Sequence, residues 1–308
     1  MQTLLNPDLL RRLEQMQLLA ARRAKSSAKG ERKSRARGQS VEFADYRAYV
    51  PGDDLRYLDW ALFGRLDRLF IRLYEEEREL PVVIFLDASE SMTFGEPRKF
   101  DFARQLAAAV GYIALCGFDR VSIRVFPTIG EGGRPSLDAT SPQGIARRAL
   151  NSVRGKRSSL GFLSHLQALE AGGAGDMDAA LKRGAREIKS TGAVLVISDF
   201  LDPLGYEAGL AALVARGFQV TAVQVLAPAE LNPAIHGDLK LIDSETGAIQ
   251  EVSFGKFRMS AYQRSVAGYI AQWEAFCKAR GIRSLTVSSG TSLSDVVLRQ
   301  MRSSRLVG

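Results

Sequence analysis

The chain has 308 residues, 46% of them hydrophobic, and a formal net charge of +8 at neutral pH. That is enough apolar material to bury a full core in one or two domains, which excludes a disordered or fibrous chain. Uninterrupted apolar runs stay short of the roughly eighteen residues a spanning helix needs, and no basic-then-apolar leader opens the sequence, so a cytoplasmic protein without a membrane span is expected.

Asn6 to Ala24 reads as a helix: Leu9, Leu10, Leu13, Met16 and Leu19 recur at helical spacing after the start signals Pro7 and Asp8. Residues 22–37 then gather eight Lys or Arg against one Glu, so nearly all of the net charge sits in one arm. Its few apolar residues suit a solvated segment or a docking arm for an acidic partner. Such an arm attracts nucleic acid electrostatically but has no aromatics to stack on bases, and nucleic acid is not the expected partner.

From Gln39 to Glu79 aromatics and charges are interleaved, with strand-like pieces at Val41–Phe43 and Leu69–Tyr74 and a tight turn at Pro51-Gly52-Asp53-Asp54. Ordinary core strands do not need Glu42, Asp45, Arg47, Asp53, Asp54, Arg56 and Asp59 among Phe43, Tyr46, Tyr49, Tyr57 and Trp60. Either the segment is an internal ion-pair network, with Trp60 buried, or it is a partner surface of the kind rich in Tyr, Trp and Arg.

A regular alternation begins at Pro81. Strand Val82–Leu86 leads to a helix from Arg98 to Leu115 carrying Phe102, Leu106, Val110 and Ile113 on one face, and then to strand Val121–Phe126. A Gly- and Pro-rich loop runs to Thr140, and Ser141-Pro142 opens another helix. Next come a helix from Asp178 to Lys189, strand Ala193–Ser198, helix Tyr206–Arg216 closed by Gly217, and strand Phe218–Leu226. A hairpin of Leu239–Ile242 with Ala248–Val252, a long helix Phe257–Ala279, strand Ile282–Val287 and a helix Ser292–Met301 complete the chain. Strands alternating with long helices predict an α/β fold with a doubly wound, mostly parallel sheet. The expected division is an N-terminal helix and basic arm (1–37), a strand-containing extension (38–80) and the sheet domain (81–308).

The chemistry concentrates where buried strands end. The run Val82-Val83-Ile84-Phe85-Leu86 stops at Asp87-Ala88-Ser89-Glu90-Ser91, and an open α/β sheet binds ligands at that end of its strands. One carboxylate and two hydroxyls at alternate positions are hard oxygen donors that suit Mg²⁺; the same residues could equally cap the turn that follows. A second apolar run, Ala193 to Ser198, ends in Asp199. Two buried carboxylates at one sheet edge repel unless a cation or a proton lies between them. His165 and His236 lie in unrelated contexts, and Cys116 and Cys277 read as small hydrophobes of a reducing compartment. With no Cys/His cluster, nucleophile elbow or complete phosphate loop, the residues exclude structural zinc and give a Ser-His-Asp hydrolase or nucleotide-binding loop no support.

The D-x-S-x-S run with a late strand-end Asp resembles the metal-ion-dependent adhesion site of von Willebrand factor A domains. In that family an Asp, two Ser, a Thr from a second loop and the late Asp surround a Mg²⁺ whose sixth position takes a partner's carboxylate. The resemblance implies Asp87, Ser89, Ser91 and Asp199 as metal residues. The family Thr is Gly175 here, in the loop Gly172–Asp178, so binding of Mg²⁺ or Mn²⁺ is expected to be weak, with water or Asp176 in its place.

Glu42 to Trp60 reads E-F-x-x-Y-R-x-Y-x-P-G-D-D-x-R-x-x-D-W, followed by D-A-S-x-S-M at Asp87 to Met92. This is similar to the signature of the domain-of-unknown-function-58 family, and Asn6-Pro7-Asp8-Leu9-Leu10, Ile197-Ser198-Asp199-Phe200 and the Asp243–Gly247 turn extend the likeness over nearly the whole chain. The resemblance implies a von Willebrand factor A-like domain working beside a MoxR-type AAA+ ATPase in the assembly or metallation of other proteins. The expected function is therefore a non-enzymatic adaptor that accepts an acidic client or partner. A metal-dependent hydrolase or phosphotransferase at the same residues is the alternative, and it lacks a general base other than Glu90.

Overall fold

A computed structural model of the chain describes residues 4–18, 41–76, 80–127, 149–173, 176–233, 237–242, 249–254, 256–304 and 306–308. The basic arm 22–37, the Ser141-Pro142 helix start, Gly175, His236 and the Asp243–Gly247 turn lie outside the described residues. Residues 1–27 and 80–308 form one unit and residues 28–79 another. Helix α1 (Pro7–Leu13) opens the first, capped by the Asn6 side chain, which accepts from the Asp8 amide at 3.0 Å.

In the smaller unit, β1 (Val41–Ala48) pairs antiparallel with β2 (Phe70–Glu76), and helix α2 (Trp60–Leu66) lies between them in the chain. Its charges work locally. Asp59 caps α2 by accepting from the Ala61 and Leu62 amides at 3.0 Å each, and its other oxygen accepts from the Tyr46 hydroxyl. Asp53 takes Arg47 at 2.7 Å and the Val50 amide at 2.9 Å, which fixes the turn, while Asp54 takes Arg56 at 2.6 Å. Trp60 corrects an expectation. It is 65% exposed, because the Asp59 cap makes it the first residue of α2, where its ring stands edge-on to Phe63.

The larger unit is built on a six-stranded sheet: β3 (Pro81–Asp87), β4 (Arg120–Phe126), β5 (Ala149–Arg154), β6 (Ala193–Ser198), β7 (Gln219–Leu226) and, after a separate hairpin of β8 (Gly237–Ile242) with β9 (Ile249–Phe254), β10 (Arg283–Ser288). The strand order is β10-β7-β6-β3-β4-β5, parallel throughout except for β5 at one edge. Alternation along β3 divides the core in two. Val82, Ile84 and Leu86 face the cluster built with α3 (Lys99–Cys116), while Val83 and Phe85 face one built with α5 (Met177–Glu187), α6 (Glu207–Ala215) and Trp273 of α8 (Lys256–Ala279). The result is a mixed α/β protein with a mostly parallel sheet buried on both faces.

Close approach is achieved with glycine. A Cβ on Gly111 of α3 would collide with the ring of Phe162 on α4 (Ser159–Gln167), and one on Gly184 of α5 with the ring of Phe85. Strand β5 went unforeseen because its apolar residues Ala149, Leu150 and Val153 neither alternate nor form a run; the edge of β4 supplies its hydrogen-bond partners. The N-terminal helix ends at Leu13 instead of running to Ala24. Gln17 exchanges two backbone hydrogen bonds with Gly308, and Leu5, Leu9, Leu13 and Met16 are buried in the core against α3. The first residues thus belong with the sheet. The expected C-terminal helix is broken into Leu293–Asp295, a π-helical turn Val296–Gln300 and Met301–Ser303. Among the described residues no helix is long and apolar enough to cross a membrane.

Candidate functional site

Strands β3 and β6 run side by side in parallel with Leu86 opposite Ile197, so the next residues, Asp87 and Ser198, meet at the carboxyl end of the sheet. The Ser198 hydroxyl donates to Asp87 Oδ2 at 2.5 Å, and the Ser89 amide donates to Asp87 Oδ1 at 2.9 Å. The chain then turns through Glu90–Thr93, a 3₁₀ turn anchored by the fully buried Met92. This turn brings the Ser89 and Ser91 hydroxyls to 3.1 Å of each other. Two flanking segments hold it in place. The Ala88 amide donates to the Phe126 carbonyl at the end of β4, while Gly172 N–H and Gly173 O bond to Ala88 O and Glu90 N–H.

Asp199 follows at the end of β6, 1% exposed, and the positive φ of Phe200 turns the chain sharply after it. Its Oδ1 accepts from the Leu201 amide at 3.0 Å and its Oδ2 from Lys99 Nζ at 2.7 Å. Lys99, the first residue of α3 and 1% exposed, also donates to Glu230 Oε1 at 2.6 Å. Glu230, on the short helix α7 (Pro228–Leu231) after β7, uses its other oxygen to accept from the Ala227 amide. Gln224 of β7 donates to the Asp199 carbonyl and accepts from Thr286 of β10, which ties the strand end across the sheet.

The charges divide between a cation and a proton. Burial pushes the Asp87 carboxyl up to about 7, and the neighbouring Asp199 charge pushes the same way against the hydrogen bonds from Ser198 and Ser89. For Lys99, burial acts to lower the pKa, but Asp199 and Glu230 outweigh it and the net shift is upward. Two adjacent buried carboxylates thus coexist because one is paired with an ammonium and the other holds its proton more tightly.

Of the four residues expected from sequence, Asp87, Ser89 and Ser91 converge, and Asp199 lies at the same edge in the grip of Lys99. Asp176, the expected stand-in for the missing threonine, instead caps α5 by accepting from the Ala179 amide at 2.8 Å. The donor set fits a hard cation: cis oxygens of an octahedral Mg²⁺ lie about 3 Å apart, close to the Ser89–Ser91 spacing. Among the described residues no group of three or more His, Cys, Asp or Glu could hold a metal, so a site here depends on the serine hydroxyls. Ser198, Lys99 and Glu230 were missed. A lysine opening a helix is the signal that could have found Lys99, since its charge opposes the helix dipole and needs a nearby carboxylate.

The remaining candidates are quieter. His165 on α4 has a buried Nε2 with no partner among the described residues, and burial lowers its pKa. Cys277 is buried and its thiol is pushed up to about 11, while Cys116 is half-buried and also raised, as befits small hydrophobes.

Fold and edge together define an α/β protein with a carboxylate–hydroxyl cluster at the carboxyl end of its central strands. The chain belongs to the family described as protein of unknown function DUF58, whose model matches residues 45–269. An uncharacterized protein of Mycobacterium bovis is 26% identical over 298 residues, covering 95% of this chain and 89% of that one. One from Mycobacterium avium is 28% identical over 131 residues, covering 42% of this chain and 77% of its own. Among solved structures, the conserved hypothetical protein BatB from Bacteroides thetaiotaomicron aligns with a TM-score of 0.40 at 15% identity, covering 73% of this chain and 98% of that one. An aerotolerance-related membrane protein from Bacteroides fragilis aligns with the same score and coverage at 18% identity.

Proposed function

We propose that this chain is a non-enzymatic adaptor with a von Willebrand factor A-like domain, whose Asp87 edge holds Mg²⁺ or Mn²⁺ and takes an acidic side chain of another protein. The observation that carries this reading is the convergence of the Ser89 and Ser91 hydroxyls, 3.1 Å apart, beside the Asp87 carboxylate. Asp87, Ser89 and Ser91 would hold the ion, and binding would draw the proton from Asp87. A divalent ion bound by a single carboxylate retains positive charge, which favours a carboxylate at an open position. The protein's own share is positional: Ser198 fixes one Asp87 oxygen, the Ser89 amide fixes the other, and Met92 anchors the turn that carries both serines. The MoxR-type AAA+ ATPase enters as the partner through what the family resemblance implies.

Calorimetric or EPR titration with Mn²⁺ tests the site. Weak binding is expected, lost in Asp87→Ala. A pull-down with a MoxR-type ATPase, with and without Mg²⁺, tests the partner; Asp87→Ala is expected to weaken capture and to remove any effect on ATP turnover. The alternative is a hydrolase or phosphotransferase at the same residues, with the ion activating a bound water and Glu90 as the base. Phosphoester turnover that requires both Mg²⁺ and Asp87 would falsify the adaptor reading.

A further inference from the structure

We infer that the ammonium of Lys99 is the resident cation of this sheet edge, and that it divides the edge into two compartments. One, formed by Asp199 and Glu230, is filled by the chain's own lysine. The other, formed by Asp87, Ser89 and Ser91, is where an external ion would go. Asp199 is then a lysine partner and not a metal ligand.

The hydrogen bonds carry the division. Both oxygens of Asp199 are engaged, one by Lys99 Nζ at 2.7 Å and the other by the Leu201 amide at 3.0 Å. Both oxygens of Glu230 are engaged as well, by Lys99 at 2.6 Å and the Ala227 amide at 2.6 Å. Lys99 and Asp199 are essentially inaccessible, with side chains 1% and 2% exposed, so the pair cannot part without uncovering a charge in the interior. A metal recruiting Asp199 directly would have to displace an ammonium whose other charged partner among the described residues is Glu230, with the Phe94 ring 5.9 Å from it. Among the described residues, the Ser89 and Ser91 hydroxyls bond to each other, and the Ser89 hydroxyl also bonds to the Asp87 carboxylate. Lys99 also joins three chain segments, the start of α3, the end of β6 and α7, which a bound metal would otherwise have to hold together. The fold therefore closes at this edge without a divalent ion.

The experiment uses the full chain and its Lys99→Met, Asp199→Asn, Lys99→Met/Asp199→Asn and Asp87→Asn variants. Thermal unfolding is followed in EDTA and in excess Mg²⁺, and Mn²⁺ binding by EPR. In EDTA the wild-type Tm is expected to be unchanged. Lys99→Met lowers the Tm by roughly 10 °C, because it strands buried carboxylates, and adding Asp199→Asn recovers a large part of that loss. If Lys99→Met yields no soluble protein, recovery of soluble protein in the double variant is the equivalent result. Mn²⁺ binding is lost in Asp87→Asn and nearly unchanged in Asp199→Asn. The inference is overturned if Lys99→Met is as stable as wild type, if the double variant is no better than the single one, or if EDTA destabilises wild type. Loss of Mn²⁺ binding in Asp199→Asn equal to that in Asp87→Asn overturns it too. The ligand half of the inference rests on the cation-binding reading above and the lysine half does not. A wild-type protein that binds no Mn²⁺ removes that reading, while the thermal comparison still decides the role of Lys99.

Discussion

At the sheet edge, Lys99 and Asp199 form an ion pair 2.7 Å long with side chains 1% and 2% exposed; in the smaller unit, Arg56 and Asp54 form one 2.6 Å long with side chains 81% and 42% exposed. The two pairs have nearly the same length and opposite meaning. Water screens and competes for the exposed pair, which shapes a turn locally and contributes little to stability. With side chains 1% and 2% exposed the buried pair is barely screened, so losing one member strands the other, and the Asp199 charge adds to the burial that keeps Asp87 protonated. Distance alone does not distinguish them. Exposure does.

The hardest test of this contrast is to remove one buried partner. Asp199→Ala leaves Lys99 with Glu230 alone and should cost about 3 kcal/mol or more in urea unfolding. A cost near that of an ordinary surface change would put the two pairs on the same footing.

An effect of comparable size and opposite sign is expected at Asp87. Its carboxyl titrates at about 7 in the folded chain against an ordinary value of 3.8, so between those pH values the folded state holds a proton that the unfolded state has lost. Asp87 therefore makes stability fall as pH rises from about 4 to about 7, and contributes no further slope above. In EDTA, Asp87→Asn should be more stable than wild type at pH 8, on the order of a few kcal/mol, and the gap should close as pH falls toward 4. Urea unfolding at pH 5 and pH 8 measures it; a gap that is the same at both would show that Asp87 does not titrate in that window.

Trp60→Ala sharpens the comparison from the exposed side. At 65% exposure the ring leaves little apolar surface to lose, so the Tm should barely move, whereas a buried tryptophan would cost roughly 3–5 kcal/mol. If partner capture falls while the Tm holds, the aromatic segment is a docking face. The smallest effect belongs to Arg56→Ala, which should leave the Tm unchanged within error even at low salt. A clear loss there would mean that the exposed pair does more than shape its turn.

Much of the fold was legible because its signals are local and repetitive. Val82 to Leu86 and Ala193 to Ser198 can hardly be anything but buried strands, and the stripe of Phe102, Leu106, Val110 and Ile113 specifies the helix that covers one of them. The D-x-S-x-S run at a strand end likewise places three oxygen donors in one turn, which is where Asp87, Ser89 and Ser91 are found. Elements without such signals escaped. Strand β5 exists only because β4 offers it an edge, and the N-terminal helix stops early because Gln17 pairs with Gly308 at the far end of the chain. The chemistry of Trp60 suits a core or a partner surface equally, and it stands exposed at the start of the helix that Asp59 caps.

Period and composition act over a few neighbouring residues, and that is enough to specify which strands are buried, where they end and which oxygen donors stand there. What balances those charges is settled by packing between distant segments. Lys99 is 100 residues from Asp199 and 131 from Glu230, and although a lysine at a helix start calls for a carboxylate, nothing local says which ones it meets. It follows from the parallel register of β3 and β6, the seating of α3 over β3 and the turn after β7. In that buried place a carboxylate must find a cation or keep its proton, and the fold provides one of each.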